Sequence, residues 1–267
     1  MRLVVVGCAG SFAGPDGPAS SYAVQAEDGS GHTWTVVLDL GNGSLGALQH
    51  VLDPFDVDAV ALSHLHPDHF ADLCGLYVYR RYHPSRGVVH DPTLGPLAVW
   101  GPAGTERRLA EAYGSHDDED MRSVFAFRAW SPDRQVRVGP FVLEIVPVRH
   151  PVEAYAIRVT GPSSERPGEQ ATLAYSGDTD ACDGLVEAAR RADLFLCEAA
   201  FQEGRDLVEG IHLTGYRAGR AARAAGVRRL VLTHLPAWND SQVALAEARS
   251  AYPGPVELAT SGATYTL

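Results

Sequence analysis

The chain has 267 residues, 45% of them hydrophobic, with 22 basic against 33 acidic side chains and a net charge of −11. That length buries the core of one domain, read here as spanning 1–267, and the acidic balance disfavours a nucleic-acid backbone as partner unless bound metal reverses the field locally. Four scattered cysteines (Cys8, Cys74, Cys182, Cys197) form no CxxC pair, so neither a thiolate zinc site nor a disulfide framework is suggested and a reducing cytoplasm is the default expectation.

No apolar run approaches the roughly 20 residues of a membrane span, and the seven residues before Cys8 are too few for a lipoprotein signal. Residues 2–6 read as a strand, 7–20 as a Gly/Pro-rich loop, and 22–26 and 33–38 as further strands. Asp39 closes that hairpin just before Gly41-Asn42-Gly43. A short helix at 44–52 and a buried strand at 57–62 then lead into His64-Leu-His66-Pro-Asp68-His69. Beyond it, 70–82 has the apolar spacing of a helix, 83–96 is a proline-broken loop, 97–100 a strand and 104–113 a helix. Asp117-Asp118-Glu119-Asp120 reads as a solvated acidic loop. Strands follow at 124–130, 136–148, 154–159 and 172–175. The last third alternates helices (185–191, 215–225, 242–251) with strands (194–196, 230–232, 256–259). Both halves open on antiparallel-looking strands and close on helix and strand, so the expectation is two sheets face to face with helices outside.

Three imidazoles and a carboxylate packed into six residues after a buried strand are metal-binding chemistry. Nitrogen and oxygen donors without thiolate suit zinc, manganese or iron, and donors on a short turn can face two adjacent ions. The bland alternative, surface histidines titrating in water, sits poorly with so dense and strand-anchored a cluster. A two-ion site needs further donors at later strand ends, and His150, Asp178 and His234 each occupy such a place. A carboxylate such as Asp178 can bridge cations roughly 3.5–4 Å apart. Taken singly, His150 could be a turn residue before proline, Asp178 turn chemistry beside glycine, and His234 a satisfied core histidine. Glu198, at a strand end, and His212, just before a helix capped by Thr214, read as an acid pair: the carboxylate charges the imidazole so that it can donate a proton. The alternative there is a capping segment beside a structural carboxylate. His32, His50, His83, His90 and His116 lack such context and are expected to face solvent.

His64-Leu-His66-Pro-Asp68-His69, a later histidine, Ser176-Gly177-Asp178, Cys197-Glu198-Ala199-Ala200, His212-Leu213-Thr214 and Leu232-Thr233-His234, in that order, resemble the metallo-β-lactamase fold on its tRNase Z-like phosphodiesterase branch. Gly7-Cys8-Ala9-Gly10-Ser11, Pro18-Ala19-Ser20, the stretch from Arg80-Arg81 to Arg86, and Leu196-Cys197-Glu198-Ala199 are similar to the bacterial atypical class II cyclic-AMP phosphodiesterases of that fold. The resemblance implies a four-layer αβ/βα sandwich of two facing mixed sheets. It also implies two divalent ions, zinc with manganese as the alternative. His64, His66 and His150 would hold one and Asp68, His69 and His234 the other, with Asp178 between them and Asp39 propping the loop from behind.

The implied reaction is hydrolysis of a 3′,5′-cyclic nucleotide to a 5′ nucleotide by a hydroxide bridging the two metals, with Asp68 orienting the nucleophile and His212, backed by Glu198, protonating the leaving oxygen. Alternatives within the fold are tRNA 3′ processing and thioester or lactone hydrolysis. The tRNA-processing enzymes carry a long Gly/Pro-rich arm between the later histidine and the bridging aspartate; here only 151–177 intervene, mostly strand, so a small anionic phosphodiester is the expected partner and tRNA is not. The typical lactamases have cysteine where Asp178 stands, which argues against lactam hydrolysis. Cys197, Ala200 and Leu213 depart from the tRNase Z pattern around the acid pair. A homodimer is common in the resembling family. Arg80 and Arg81 read as solvated surface arginines, with reach to phosphate as the alternative, and the 7–20 loop as a segment that could close over substrate.

Overall fold

Strands with unbroken apolar runs require a sheet covered on both faces. In β1 (Arg2–Gly7), Leu3 and Val5 enter one core while Val4 and Val6 enter another. The computed structural model describes residues 1–114 and 121–267; the acidic run at 117–120 and His116 lie outside the described residues. Among the described residues, β2 (Ser21–Glu27), β3 (Thr33–Leu38), β4 (Ala59–Ala61), β5 (Leu97–Gly101), β6 (Phe125–Ala129) and β14 (Thr264–Thr266) join β1 in a seven-stranded sheet of order β14-β1-β2-β3-β4-β5-β6. A second seven-stranded sheet holds β7 (Val136–Val138), β8 (Phe141–Pro147), β9 (Tyr155–Pro162), β10 (Gln170–Tyr175), β11 (Leu194–Glu198), β12 (Leu230–Thr233) and β13 (Val256–Leu258), in the order β13-β12-β11-β10-β9-β8-β7. Both sheets are mixed: β1–β3 and β7–β10 pair antiparallel, and β3–β6 and β10–β13 pair parallel.

The sheets face each other across a core that includes Leu3, Tyr22, Leu38, Phe141, Ile157, Tyr175 and Leu196. The outer face of the first sheet is covered by Leu48, Leu73, Leu76 and Leu109 from the helices Ser44–Leu48, Leu73–Tyr82 and Thr105–Tyr113. The second is covered by Leu185, Ala218, Ala222, Leu245 and Ala248 from Asp183–Ala189, Gly215–Ala225 and Ser241–Ala251. The layers therefore run helix, sheet, sheet, helix, as expected. No helix among the described residues is long and apolar enough to cross a membrane.

Three local expectations are corrected. The stretch 136–148 is a hairpin rather than one strand, turning at Gly139-Pro140 with Val138 opposite Phe141. The helix expected at 70–82 is broken: Pro67–Phe70 forms its own turn, and Leu73–Tyr82 starts afresh after Asp72, whose carboxylate accepts from the Leu45 amide rather than capping the helix. The helix expected at 44–52 ends at Leu48 and continues as turns.

Candidate metal centre

Parallel strands deliver their C-terminal ends to one edge, and the chemistry collects there. Asp39 follows β3, Ser63 and His64 follow β4, His150 follows β8, Asp178 follows β10, Glu198 ends β11 and His234 follows β12. The metal loop is stapled to the end of β3 by the backbone: Leu40 N donates to His69 O at 2.7 Å and Asp72 N to Leu40 O at 3.1 Å. Gly41 is required there, since a Cβ would stand 1.9 Å from the Asp68 carbonyl oxygen. Among the described residues, four non-glycine residues adopt left-handed φ, and three of them, Ser11 (64°), Asp39 (55°) and His234 (55°), belong to this edge. Such strain costs about 1–3 kcal/mol per residue and collects at functional sites.

The donors form two groups that share Asp178. His64, His66, His150 and Asp178 offer ligand atoms all within 4.8 Å of one another, and so do Asp68, His69, Asp178 and His234. In the first, His64 Nε2 and His150 Nε2 each lie 3.1 Å from His66 Nδ1. In the second, His69 Nε2 lies 3.2 Å from Asp178 Oδ1 and 3.3 Å from Asp68 Oδ2, and His234 Nε2 lies 3.2 Å from Asp178 Oδ2. Asp68 Oδ2, His69 Nε2 and Asp178 Oδ1 are buried without a hydrogen-bond partner, a costly state for acceptor atoms that a cation relieves. Four histidines have the opposite ring nitrogen held by an oxygen: His64 Nδ1 by Ser63 Oγ (3.0 Å), His69 by Asp39 Oδ2 (2.7 Å), His150 by Ile211 O (2.9 Å) and His234 by Ser20 Oγ (3.0 Å). Holding Nδ1 this way fixes the tautomer and aims the Nε2 lone pair inward. The donor set fits divalent cations.

Electrostatics agree with that reading. Burial holds the imidazoles of His64, His66, His150 and His234 below the usual histidine value, in the neutral form that donates a lone pair. Burial alone would raise the Asp178 carboxyl, but His234, His69 and His64 outweigh it and hold it well below the usual range. Asp68 is likewise held low against its burial by His69 and His234. His69 is the exception: opposed by burial, it is held well above the usual value between Asp178 and Asp39, so its Nε2 offers a lone pair only when a bound cation displaces the proton.

Beside Asp178 stands the acid pair. His212 Nδ1 lies 2.9 Å from Glu198 Oε1 and 3.9 Å from Asp178 Oδ2, and its ring centroid is 5.4 Å from that of His234 and 5.6 Å from that of His150. Glu198 is fully buried and fixed by the Thr179 and Ala200 amides. Burial disfavours the His212 cation, but Glu198 overcomes it and raises the pKa to about 9. The His212 imidazole is thus protonated at neutral pH.

All nine residues singled out from the sequence, from His64 to His234, meet at this edge. Asp39 takes four hydrogen bonds of 2.7 Å, from Ser63 N, Ser63 Oγ, His69 Nδ1 and Tyr175 OH. Arg80 is not solvated: it is 4% exposed, donates to Gly95 O and stacks over Phe55, while Arg81 donates to Ser123. His32, His50 and His90 are exposed, as expected; His83 is half-buried against Phe55 and Tyr79. Sequence reasoning missed Asp180, a buried carboxylate that accepts from Gly210 N at 2.7 Å and Arg217 Nη1 at 3.0 Å and so anchors the loop carrying His212. It also missed Ser20 and Tyr175. An aspartate two positions after a ligand was the available signal for Asp180; a serine at a loop end and a core tyrosine give none.

The Beta-lactamase superfamily domain matches residues 35–235. The protein ML1173 of Mycobacterium leprae is 44% identical over 270 residues, covering 100% of this chain and 89% of the relative. Ribonuclease Z of Myxococcus xanthus is 31% identical over 296 residues, covering 93% of this chain and 92% of the relative. The crystal structure of the metallo-beta-lactamase fold protein YhfI from Bacillus subtilis superposes with a TM-score of 0.83 at 27% identity, covering 99% of this chain and 98% of that one.

Proposed function

The chain belongs to the beta-lactamase superfamily and is a metallo-hydrolase of that fold, and on this premise we propose that it is a phosphodiesterase acting on 3′,5′-cyclic nucleotides, cyclic AMP first among them. The observation that carries the reading is the Glu198–His212 pair, held at 2.9 Å beside the shared aspartate. A sugar alkoxide is a poor leaving group and needs a proton as the P–O bond breaks. A charged imidazole against a buried carboxylate supplies one.

His64, His66 and His150 would hold one cation, Asp68, His69 and His234 a second, and Asp178 both. Bound divalent cations supply a lowered water pKa and neutralise phosphoryl charge. The protein's own contribution is positional. Asp68 orients the attacking water while its carboxylate helps hold the second cation, Asp39 and Tyr175 keep His69 in register, and His212 donates its proton to the departing 3′ oxygen, leaving a 5′ nucleotide. The short connection between β9 and β10, at 163–169, favours a small diester over a folded RNA.

A second reading, cleavage at RNA 3′ ends, draws on the 31% identity to the Myxococcus ribonuclease Z. Turnover of cyclic AMP by metal-reconstituted protein, beside bis-p-nitrophenyl phosphate and a 3′-extended tRNA precursor, separates the two. Cyclic AMP hydrolysis to 5′ AMP, lowered about 10²–10⁴-fold in His212→Ala, is the expected result. Cleavage of the tRNA precursor with cyclic AMP untouched would replace this reading with the second.

A further inference from the structure

Residues 7–14 and 234–239 meet beside His234 of the candidate centre, and both carry aromatic side chains that the chemistry described so far does not use. Gly10 N donates to Leu235 O at 3.1 Å, Leu235 N donates to Cys8 O at 3.3 Å, and Ala9 bridges Leu235. These bonds seat the loop so closely that the Ser11 amide nitrogen lies 3.3 Å from His234 Nε2. Ser11 takes a left-handed φ of 64° to do so, and the resulting turn sets the Phe12 ring 4.7 Å from the Trp238 ring, tilted by 40°. Trp238 is 69% exposed, an unusual placement for the largest apolar side chain. The adjoining Asn239 donates to Ala200 O at 2.8 Å, next to Phe201, whose ring packs 5.1 Å from His212. The aromatic pair and the proton donor therefore stand on connected stretches of one rim.

Resting on the phosphodiesterase reading, we propose that Phe12 and Trp238 form the platform on which the planar base of a nucleotide stacks while its phosphodiester lies over the His/Asp centre. Stacking requires only a π face, which every base has, so the platform contributes affinity for nucleotides as a class with little preference among them. The strain at Ser11 fits this assignment: it holds a surface aromatic in place where a flexible loop would lose affinity to ordering entropy.

Metal-loaded protein is titrated with 5′ AMP and with ribose 5-phosphate, which lacks the base, following tryptophan emission and calorimetric Kd. AMP is expected to quench Trp238 in the wild type. Trp238→Ala is expected to weaken AMP binding about ten-fold, the loss typical of one base–aromatic contact, and Trp238→Phe to recover part of it. Ribose 5-phosphate binds all three alike. In turnover, KM for cyclic AMP rises by the same factor in Trp238→Ala while kcat stays within about two-fold, the signature of lost uniform binding. AMP affinity unchanged in Trp238→Ala, or lost equally for ribose 5-phosphate, overturns the platform. If the wild type turns over no cyclic nucleotide while AMP binding still depends on Trp238, the platform stands and the cyclic-nucleotide reading falls. Turnover of cyclic AMP that is indifferent to Trp238→Ala leaves that reading standing and removes the platform.

Discussion

Asp39 touches none of the converging ligand atoms of the centre, yet its Oδ2 takes bonds from His69, Ser63 and Tyr175 at once. Replacing it with asparagine keeps the shape but puts an amide where an anion polarises His69. A chelator-competition titration of Asp39→Asn is expected to show metal affinity down about 10–100-fold, the usual loss when a ligand's supporting carboxylate is removed. His212 sets a pH dependence of defined sign. Its pKa, raised to about 9 by Glu198 against the pull of burial, leaves it protonated at neutral pH. The rate with alkoxide leaving groups therefore falls as pH climbs through about 9. The rate with p-nitrophenyl diesters, whose leaving group needs no proton, stays flat there. In Glu198→Gln the descending limb moves to lower pH, which a pH–rate profile on both substrates reads directly.

At the scale of elements, most of the site's groups sit where a strand stops or on the turn just after it, because a strand's last residue is held by the ladder while the next is free to turn into the site; His212, just before the Thr214-capped helix, is the exception. Apolar runs ending in His, Asp or Glu are visible in a sequence, and this is why β4, β10, β11 and β12 could be placed together with their functional residues. Short and locally unpatterned elements could not. β14 is three residues whose pairing with β1 is decided by Tyr265 packing into the inter-sheet core, and the hairpin at Gly139 interrupts what reads as one continuous strand. The helices Gly215–Ala225 and Ser241–Ala251 approach so closely that a Cβ at Gly219 would lie 2.6 Å from Ala248 O. Gly219→Ala forces them apart, and since overpacking costs roughly 1–3 kcal/mol, a thermal melt is expected to fall by about 3–8 °C.

For the molecule as a whole, the centre joins its two sheets. His64, His66, Asp68 and His69 follow β4 of the first, while His150, Asp178 and His234 follow strands of the second. A cation held by donors from both sheets is thus a cross-link between layers that otherwise meet through apolar packing and a few hydrogen bonds such as Tyr175 to Asp39. Chelation is expected to lower the melting temperature and added zinc or manganese to restore it, with about 4 kcal/mol at stake when free metal stands at 1,000 times its Kd. A melt unchanged by chelator would mean that the sheets hold together without the ions. The layered fold and the donor side chains that converge at one edge were legible along the chain, because hydrophobic periodicity, strand ends and donor chemistry are local and written in order. The fold in three dimensions was needed to see that Asp180 anchors the His212 loop, that Arg80 is buried, and that Phe12 meets Trp238. Each of those depends on contacts between residues from 15 to 226 positions apart, which are set by how sheets and helices pack and leave no periodic trace in the chain.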